Sequence, residues 1–449
     1  MIHELRILPP LAIARFGSAS TPMDNYDAVV DPANPLGYRS LVPADTLEVD
    51  EKTGEIARVF TPTKVTFTEK GAARPVAPFL EVWALVGDEQ LTDGGRLEAL
   101  TTQLLKAEGA AVDDVRWDVR VANLKVMRRT GDENDAVQAK TDPFSDHARH
   151  ALMGRCDNFV DDKTIPLGDV QFIRPTTNHP EIRLRFTPAA GRVYGPTRSP
   201  FPDQPSPDPN VSEAVYDSAK GGWDGHFDDQ RSEAITAPRQ IYAGRPAPNP
   251  ENPQSPLHVS AGYLDDGCDG IVRVSVDIGG RTLQALGRVG AGPPTYAPDA
   301  APIRTVADEL EQALFGPTVD PEDVTYERVE EIVRREFETI RLMNTAYYNV
   351  NGPIGGGRPI MAPSLVDPVA VENLHQSLLV ALRSGTAPWF GDVLRDHDRA
   401  ADVTDLGRRK MPAMMRGADA QLMTLTRRQI ALIRALAQGP LVEPQEPDA

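Results

Sequence analysis

At 449 residues the chain is long enough for two or three ordinary domains or for one large body with a generous core, so size excludes no class of enzyme. Forty-seven basic residues against 65 acidic ones leave a formal charge of -18 with no long basic run, which argues against nucleic acid or an anionic membrane as partner and suits neutral or cationic small ligands. The two cysteines, Cys156 and Cys268, are too few to staple a secreted fold and stand in no zinc-like spacing, so reduced thiols are expected.

The N-terminal MIHELRILPPLAIARFG lacks a cationic stretch followed by an apolar core and a small-residue cleavage site, and no apolar run approaches bilayer length. A cytoplasmic protein is expected. PPLAIARFG, with Ile13 and Phe16, predicts an opening strand ended by Gly17, and ARVFTPTKVTF (57–67) and APFLEVWALVG (77–87) predict further strands from their β-branched and aromatic content. Leu97, Leu100, Leu104 and Leu105 fall on one face of a helix predicted over 96–109 and stopped by Gly109. VRWDVRVANLKV (115–126) alternates Val115, Trp117, Val119 and Val121 with Arg116, Asp118 and Arg120, the two-residue period of a strand with one wet face.

IPLGDVQFIRP and EIRLRFTPAAGRVYG predict a strand pair. Residues 196–256 are proline-dense and lose hydrophobic periodicity, which predicts a long surface loop rather than a domain boundary. Strands resume at LHVSAGYL and GIVRVSVDIGGRTLQALGRV, where DIGGR supplies the positive φ of a tight hairpin. Beyond PPTYAP the pattern turns helical. Asp320 and Pro321 start a predicted helix whose Val329, Ile332, Val333, Phe337, Ile340 and Met343 recur at three and four residues, and VDPVAVENLHQSLLVALRSG and TLTRRQIALIRALAQG predict two more. The expected fold is α+β. A β-rich body over 1–300 includes the proline-rich loop 196–256, a helical region covers 301–440, and 441–449 forms a flexible tail.

Three segments, VRWDVRVANLKV, DDGCDGIVRVSVDIGGRTLQALGRVGAGPPTYAP (265–298) and RRKMPAMMRGADAQLMTLTRRQI (408–430), occur in an order that resembles the LodA-like family. These are amino-acid oxidases carrying a cysteine tryptophylquinone built from their own side chains. LPPLAIARFGSA is similar to the family's N-terminal strand, and the resemblance runs from about Ile7 to about Gln438. It implies an oxidoreductase scaffold acting on amino acids or amines. In that family the crosslinked cysteine and tryptophan lie downstream of the third segment, and the residues that follow it here contain neither type. The resemblance therefore implies no quinone within the chain. It would be supplied by a partner, a second polypeptide carrying the missing catalytic portion, in an oligomer or hetero-complex. A flavoprotein is a further partner, as the family employs one for maturation.

Candidate chemistry falls in four places. Asp146, His147 and His150 would set two imidazoles one helical turn apart, a spacing that suits a metal or a solvated helical face. Trp223, Asp224, His226 and Asp228 in GGWDGHFDD combine an aromatic, an imidazole and carboxylates in a glycine-rich loop. Such a loop can attract an ammonium group through charge and cation–π contact, or can simply be acidic and anchored by one tryptophan. Asp265, Asp266 and Asp269 around Cys268 could act as acid and base, bind calcium or form Asx turns. Arg416 could hold a carboxylate or serve as a structural cation. NGPIGGGRP (351–359) lacks the Lys-Ser/Thr of a phosphate loop and reads as a turn. Three functions stay open: an oxidase component, an independent enzyme acting on a small amino compound with other chemistry, including a metal, and a non-catalytic binding or assembly protein.

Overall fold

A computed structural model of the chain describes residues 1–33, 39–196 except 71, 93 and 128–130, then 213–217, 220, 244–247, 257–260, 264–292, 303–341, 368–399, 410–411, 415–416 and 422–439. The fold is α+β, strand-rich, with the longer helices in the last third. The chain divides into two compact units. The first comprises Met1–Asp27, Leu41–Arg245 and Val259–Pro294, and the second Ala28–Ser40, Pro246–His258 and Thr295–Ala449. Among the described residues no helix is long and apolar enough to cross a membrane.

The first unit is built on two sheets. Strands β1 (Ile2–Leu8), β2 (Leu11–Arg15), β3 (Phe79–Val86) and β4 (Arg96–Ala99) come first. Helix α1 (Thr102–Ala107) then leads to β5 (Arg116–Asn123), β6 (Val137–Lys140), β7 (Arg149–Gly154), β8 (Ile165–Ile173) and β9 (Arg183–Thr187). After these come β10 (Val193–Pro196), β11 (Glu213–Tyr216), β12 (Leu264–Asp265), β13 (Cys268–Ile278) and β14 (Arg281–Gly292). One sheet has the order β1-β3-β9-β8-β7, with β4 sharing the β9 side of β3, against Trp83–Val86. The other has the order β6-β5-β13-β14-β2 and is antiparallel except for β2, which runs parallel to β14 with Leu11 opposite Arg288. A three-stranded sheet, β11-β10-β12, adjoins the start of β13 in sequence.

The alternation read in 115–126 is observed. Trp117, Val119 and Val121 are buried within β5, while Arg116 and Arg120 are exposed. One apolar cluster takes Ile7, Leu80, Leu184 and Phe172 from the first sheet and Trp117, Val119, Val274 and Val289 from the second. A Cβ on Gly287 of β14 would lie 2.7 Å from Ile7 Cγ2, so glycine there lets Ile7 of the first sheet pack directly on the strand. Gly279 and Gly280 take positive φ and close the β13–β14 hairpin, as DIGGR predicts.

The helix predicted over 96–109 is shorter. Arg96–Ala99 pair with β3 instead, and α1 begins after Thr101, whose hydroxyl accepts from Leu104 N–H. Edge pairing satisfies four backbone groups that a helical first turn would leave open, so tertiary context overrides the leucine spacing.

The second unit carries helices α2 (Val306–Phe315), α3 (Tyr326–Arg341), α4 (Pro368–Arg383), α5 (Phe390–Val393) and α6 (Arg427–Gln438). Its core joins Val329, Val333 and Phe337 of α3 with Leu379 and Leu382 of α4 and Ile430, Ile433 and Leu436 of α6. Asp320–Pro321 open a 3-10 turn, and α3 itself starts at Tyr326. Thr426 and Gln429 form the capping box that starts α6.

Candidate functional site

The DDGCDG turn joins β12 to β13 and buries two carboxylates side by side. Asp265 is 1% exposed, and both its oxygens take the Lys125 ammonium at 2.5 Å. Gly267 N–H donates to Asp265 Oδ1 at 3.0 Å, closing an Asx-type turn, and the Asn123 amide donates to the Asp265 carbonyl at 2.8 Å. The close packing depends on glycine. A Cβ at Gly267 would sit 3.0 Å from both Asp265 Oδ1 and Lys125 Nζ. The ammonium thus occupies the place on Asp265 that a cation would take, and Asp269 points to the exposed face of β13 rather than joining its neighbours.

Asp266 is fully buried. Its Oδ2 accepts from Arg192 N–H at 3.0 Å, while Oδ1 has no hydrogen-bond partner. Burial pushes its carboxyl up to about 8, the Asp265 carboxylate adds to the rise, and the Arg192 N–H and Lys125 oppose it. At neutral pH Asp266 therefore keeps its proton beside the ion pair of Asp265 with Lys125. Lys125, Asn123 and Arg192 are invisible in the local sequence around the turn, because β5 and β10 deliver them only once the sheets form.

Neither thiol is poised as a nucleophile. Burial pushes Cys156 up to about 12, against N–H donors from Asn158 and Phe159. Burial and then Asp266 and Asp269 raise Cys268, whose Sγ donates to the Leu167 carbonyl at 3.1 Å.

The SDHARH segment is a bend running into β7, not a helix, so the two imidazoles part. Backbone pairing of Arg149 with Gln171 of β8 extends the chain where the histidine spacing suggests a helical turn. His147 is buried, donates from Nδ1 to the Phe172 carbonyl at 2.9 Å and tilts against the Phe172 ring; desolvation holds it below the usual imidazole range. His150 stacks on Phe144 at 4.0 Å between centroids and meets Asp146 Oδ1 through Nε2 at 3.0 Å. Burial acts to raise Asp146, but the Ala148 N–H and His150 outweigh it and leave it lowered. Asp146 and His150 lie with Arg116 and Thr141 along an open cleft of about 470 Å³. Among the described residues no group of three or more His, Cys, Asp or Glu is placed to hold a metal ion. Trp223, Asp224, His226 and Asp228 lie outside the described residues, as does NGPIGGGRP, and Arg416 falls in a two-residue strand, Met415–Arg416.

No family model matches the chain, and no curated protein matches it. Among solved structures it is similar to the L-Lys epsilon-oxidase from Marinomonas mediterranea. The structure of the Schiff base intermediate with L-Lys gives 12% identity and a TM-score of 0.33 over 97% of this chain and 61% of that one. A second structure of the same oxidase gives 12% identity and a TM-score of 0.34 with the same coverage. The chain spans about three-fifths of the length of those chains. The likeness is a weak one to an amino-acid oxidase, and no residue role is carried over from it.

A tryptophylquinone needs a cysteine sulfur bonded to an indole. Trp117 faces Val274 across β5 and β13, six residues along the strand from Cys268, or roughly 20 Å at the strand rise. Trp83 of β3 is only half buried, on the face opposite the buried Leu80, Val82 and Ala84, and Trp389 is 50% exposed in the second unit. Trp117 does not fit such a group with Cys268.

Proposed function

We propose that the chain is the scaffold component of an amino-acid or amine oxidase, with the electron-accepting quinone carried by a second polypeptide. The observation that supports this reading most directly is spatial. Two of the three segments that carry the LodA-like resemblance, 116–123 and 268–292, and the similar N-terminal strand 11–15 belong to one five-stranded sheet, while 408–430 belongs to the second unit. The separation of Cys268 from Trp117 supports placing the quinone elsewhere.

Such an oxidase converts a primary amine, dioxygen and water to an aldehyde, ammonia and hydrogen peroxide. The chain's acidity suits an approaching ammonium substrate. The protein purified gently from its native host should bring a second polypeptide with quinone absorbance, and should release peroxide and ammonia in equal amounts from a panel of amino acids and amines. Intact mass of this chain should equal the sum of its residues. A mass raised by the two oxygens of an internal quinone, less the hydrogens lost in forming it and its thioether, or a chain isolated alone and silent toward every amine, would overturn the reading.

An independent enzyme acting on a small amino compound is the second reading, favoured by the Asp146–His150 pair in an open cleft beside Arg116. It requires that Asp146→Asn and His150→Ala abolish an activity of the isolated chain while its thermal unfolding stays unchanged. Asp224→Asn and His226→Ala extend the same test to the GGWDGHFDD loop.

A further inference from the structure

The five-stranded sheet packs one face into the apolar cluster shared with the first sheet and leaves the other wet, as a mainly antiparallel sheet can. In this acidic chain the wet face is basic. Register sets Lys140 of β6, Arg120 of β5, Ile271 of β13, Arg288 of β14 and Leu11 of β2 in one row across all five strands. The next row holds Asp118, Arg273 and Leu286, and the one after it begins with Arg116. No basic run in the sequence announces the patch, because each strand contributes only one or two of its cations.

The cations are not neutralised within the fold. Even exposed arginines elsewhere meet a carboxylate, as Arg6 meets Glu4, Arg58 meets Glu48 and Arg96 meets Glu98. Here Asp118, at the centre, is shared between Arg273 at 3.1 Å and Arg120 at 3.6 Å. Lys140, Arg116 and Arg288 are exposed and make no ion pair among the described residues. Asp269 and Asp277 stand at opposite ends of β13, and Asp277 already accepts from the Thr282 hydroxyl. Lys140 lies directly opposite Arg120 on the neighbouring strand, a like-charge pairing that costs stability unless an anion lies over it. A local rule broken without compensation inside the fold marks a surface shaped by something outside it.

The apolar residues among the cations narrow the choice of occupant. Leu11, Ile13 and Leu286 are 51%, 38% and 49% exposed on the β14 and β2 side of the same face. A nucleic acid would match the cations and leave these side chains wet, and the net charge of -18 repels a long polyanion. A short acidic polypeptide with apolar side chains answers both halves. The flat of a sheet is covered by helices, whereas added strands join at its edges.

We propose that this face docks an amphipathic acidic helix of a partner polypeptide, its carboxylates meeting Lys140, Arg120 and Arg288 and its apolar side chains meeting Leu286, Leu11 and Ile13. This does not depend on the oxidase reading. Five strands spaced by about 4.8 Å span roughly 20 Å, room for one helix, so the contact belongs to the transient class below about 1,200 Å² in total.

The probe is a labelled synthetic peptide of glutamate, alanine and leucine, with glutamates and leucines on adjacent sides of a helix, titrated with the full chain by fluorescence anisotropy. It should bind with micromolar affinity that weakens as salt rises. Lys140→Glu combined with Arg288→Glu removes two exposed cations that have no ion-pair partner to lose, and should weaken binding at least about tenfold. Leu286→Ser should weaken it by about tenfold and leave its salt dependence intact, and Lys64→Glu, at an exposed position off this sheet, should change nothing. Lys140→Glu alone should unfold no earlier than the parent on heating, because it relieves the pairing with Arg120. No binding at any peptide concentration, binding indifferent to the Lys140 and Arg288 substitutions, or equal binding of a scrambled peptide of the same composition would each overturn the proposal. So would oligothymidylate or phosphatidylserine vesicles binding this face more tightly than the peptide, and so would a dimerisation that Arg288→Glu abolishes, which would make a second copy of the chain the occupant.

Discussion

Asp266 and Glu336 hold protons that exposed carboxyls would release. Each is fully buried, and burial pushes each up to about 8, opposed for Asp266 chiefly by the Arg192 N–H and for Glu336 by Arg335. The unfolded chain gives up these protons near the ordinary value for a carboxyl, while the folded chain keeps them until about 8. Their contribution to stability is therefore complete in acid, below the unfolded value, and is lost as pH rises through the folded one. Asp266→Asn should remove half of this penalty and stabilise the protein by about 1–3 kcal/mol near pH 8 but not near pH 4, as read from urea unfolding at the two pH values. Lys125→Met should do the opposite. It strands the Asp265 carboxylate in the interior and should cost about 1–3 kcal/mol, the partial exposure of the lysine reducing the loss, and adding Asp265→Asn should restore part of it in a double-mutant cycle. The three aspartates of this turn are conspicuous in sequence because glycines flank them. The ammonium that decides their chemistry is not, because Lys125 arrives from the end of β5 and no local spacing announces it.

Elements were legible where one face is wet and the other dry. β5 alternates cleanly because its two faces meet different surroundings, and α3 and α6 present apolar stripes to a shared core. Segment 96–109 reads as helix from its leucines and splits because β3 offers its first four residues an edge. Helix α2 carries a start signal in its Thr305–Asp308 capping box, but its periodicity gives no hint that Asp308 and Glu311 on its charged side pair with Arg335 and Arg328. Asp308 both caps α2 and binds Arg335, so Asp308→Ala should cost about 2–4 kcal/mol, more than the roughly 1 kcal/mol expected for Thr305→Ala, which removes the cap alone. Between the two main sheets the tolerance is steric. Gly287→Ala places a methyl against Ile7 and should lower stability by about 1–3 kcal/mol, and Ile7→Ala in the same chain should recover part of that loss in thermal unfolding.

For the molecule as a whole, the α+β class and the crowding of helices into the last third follow from a change of hydrophobic period along the chain. Which strands become neighbours does not, because period reports which face is buried and never which edge is shared. Strands β2, β5 and β14 are far apart in sequence, and only the sheet order brings them together. The same sheet imposes a wait during synthesis. β2 leaves the ribosome well before its hydrogen-bonding partner β14, with Leu11 opposite Arg288. At about 5–20 residues per second, tens of seconds pass before that partner emerges. Throughout this interval the nascent chain carries an unmatched ribbon edge, so its yield in a foreign host should depend on elongation speed and chaperone supply far more than on the stability of the finished fold.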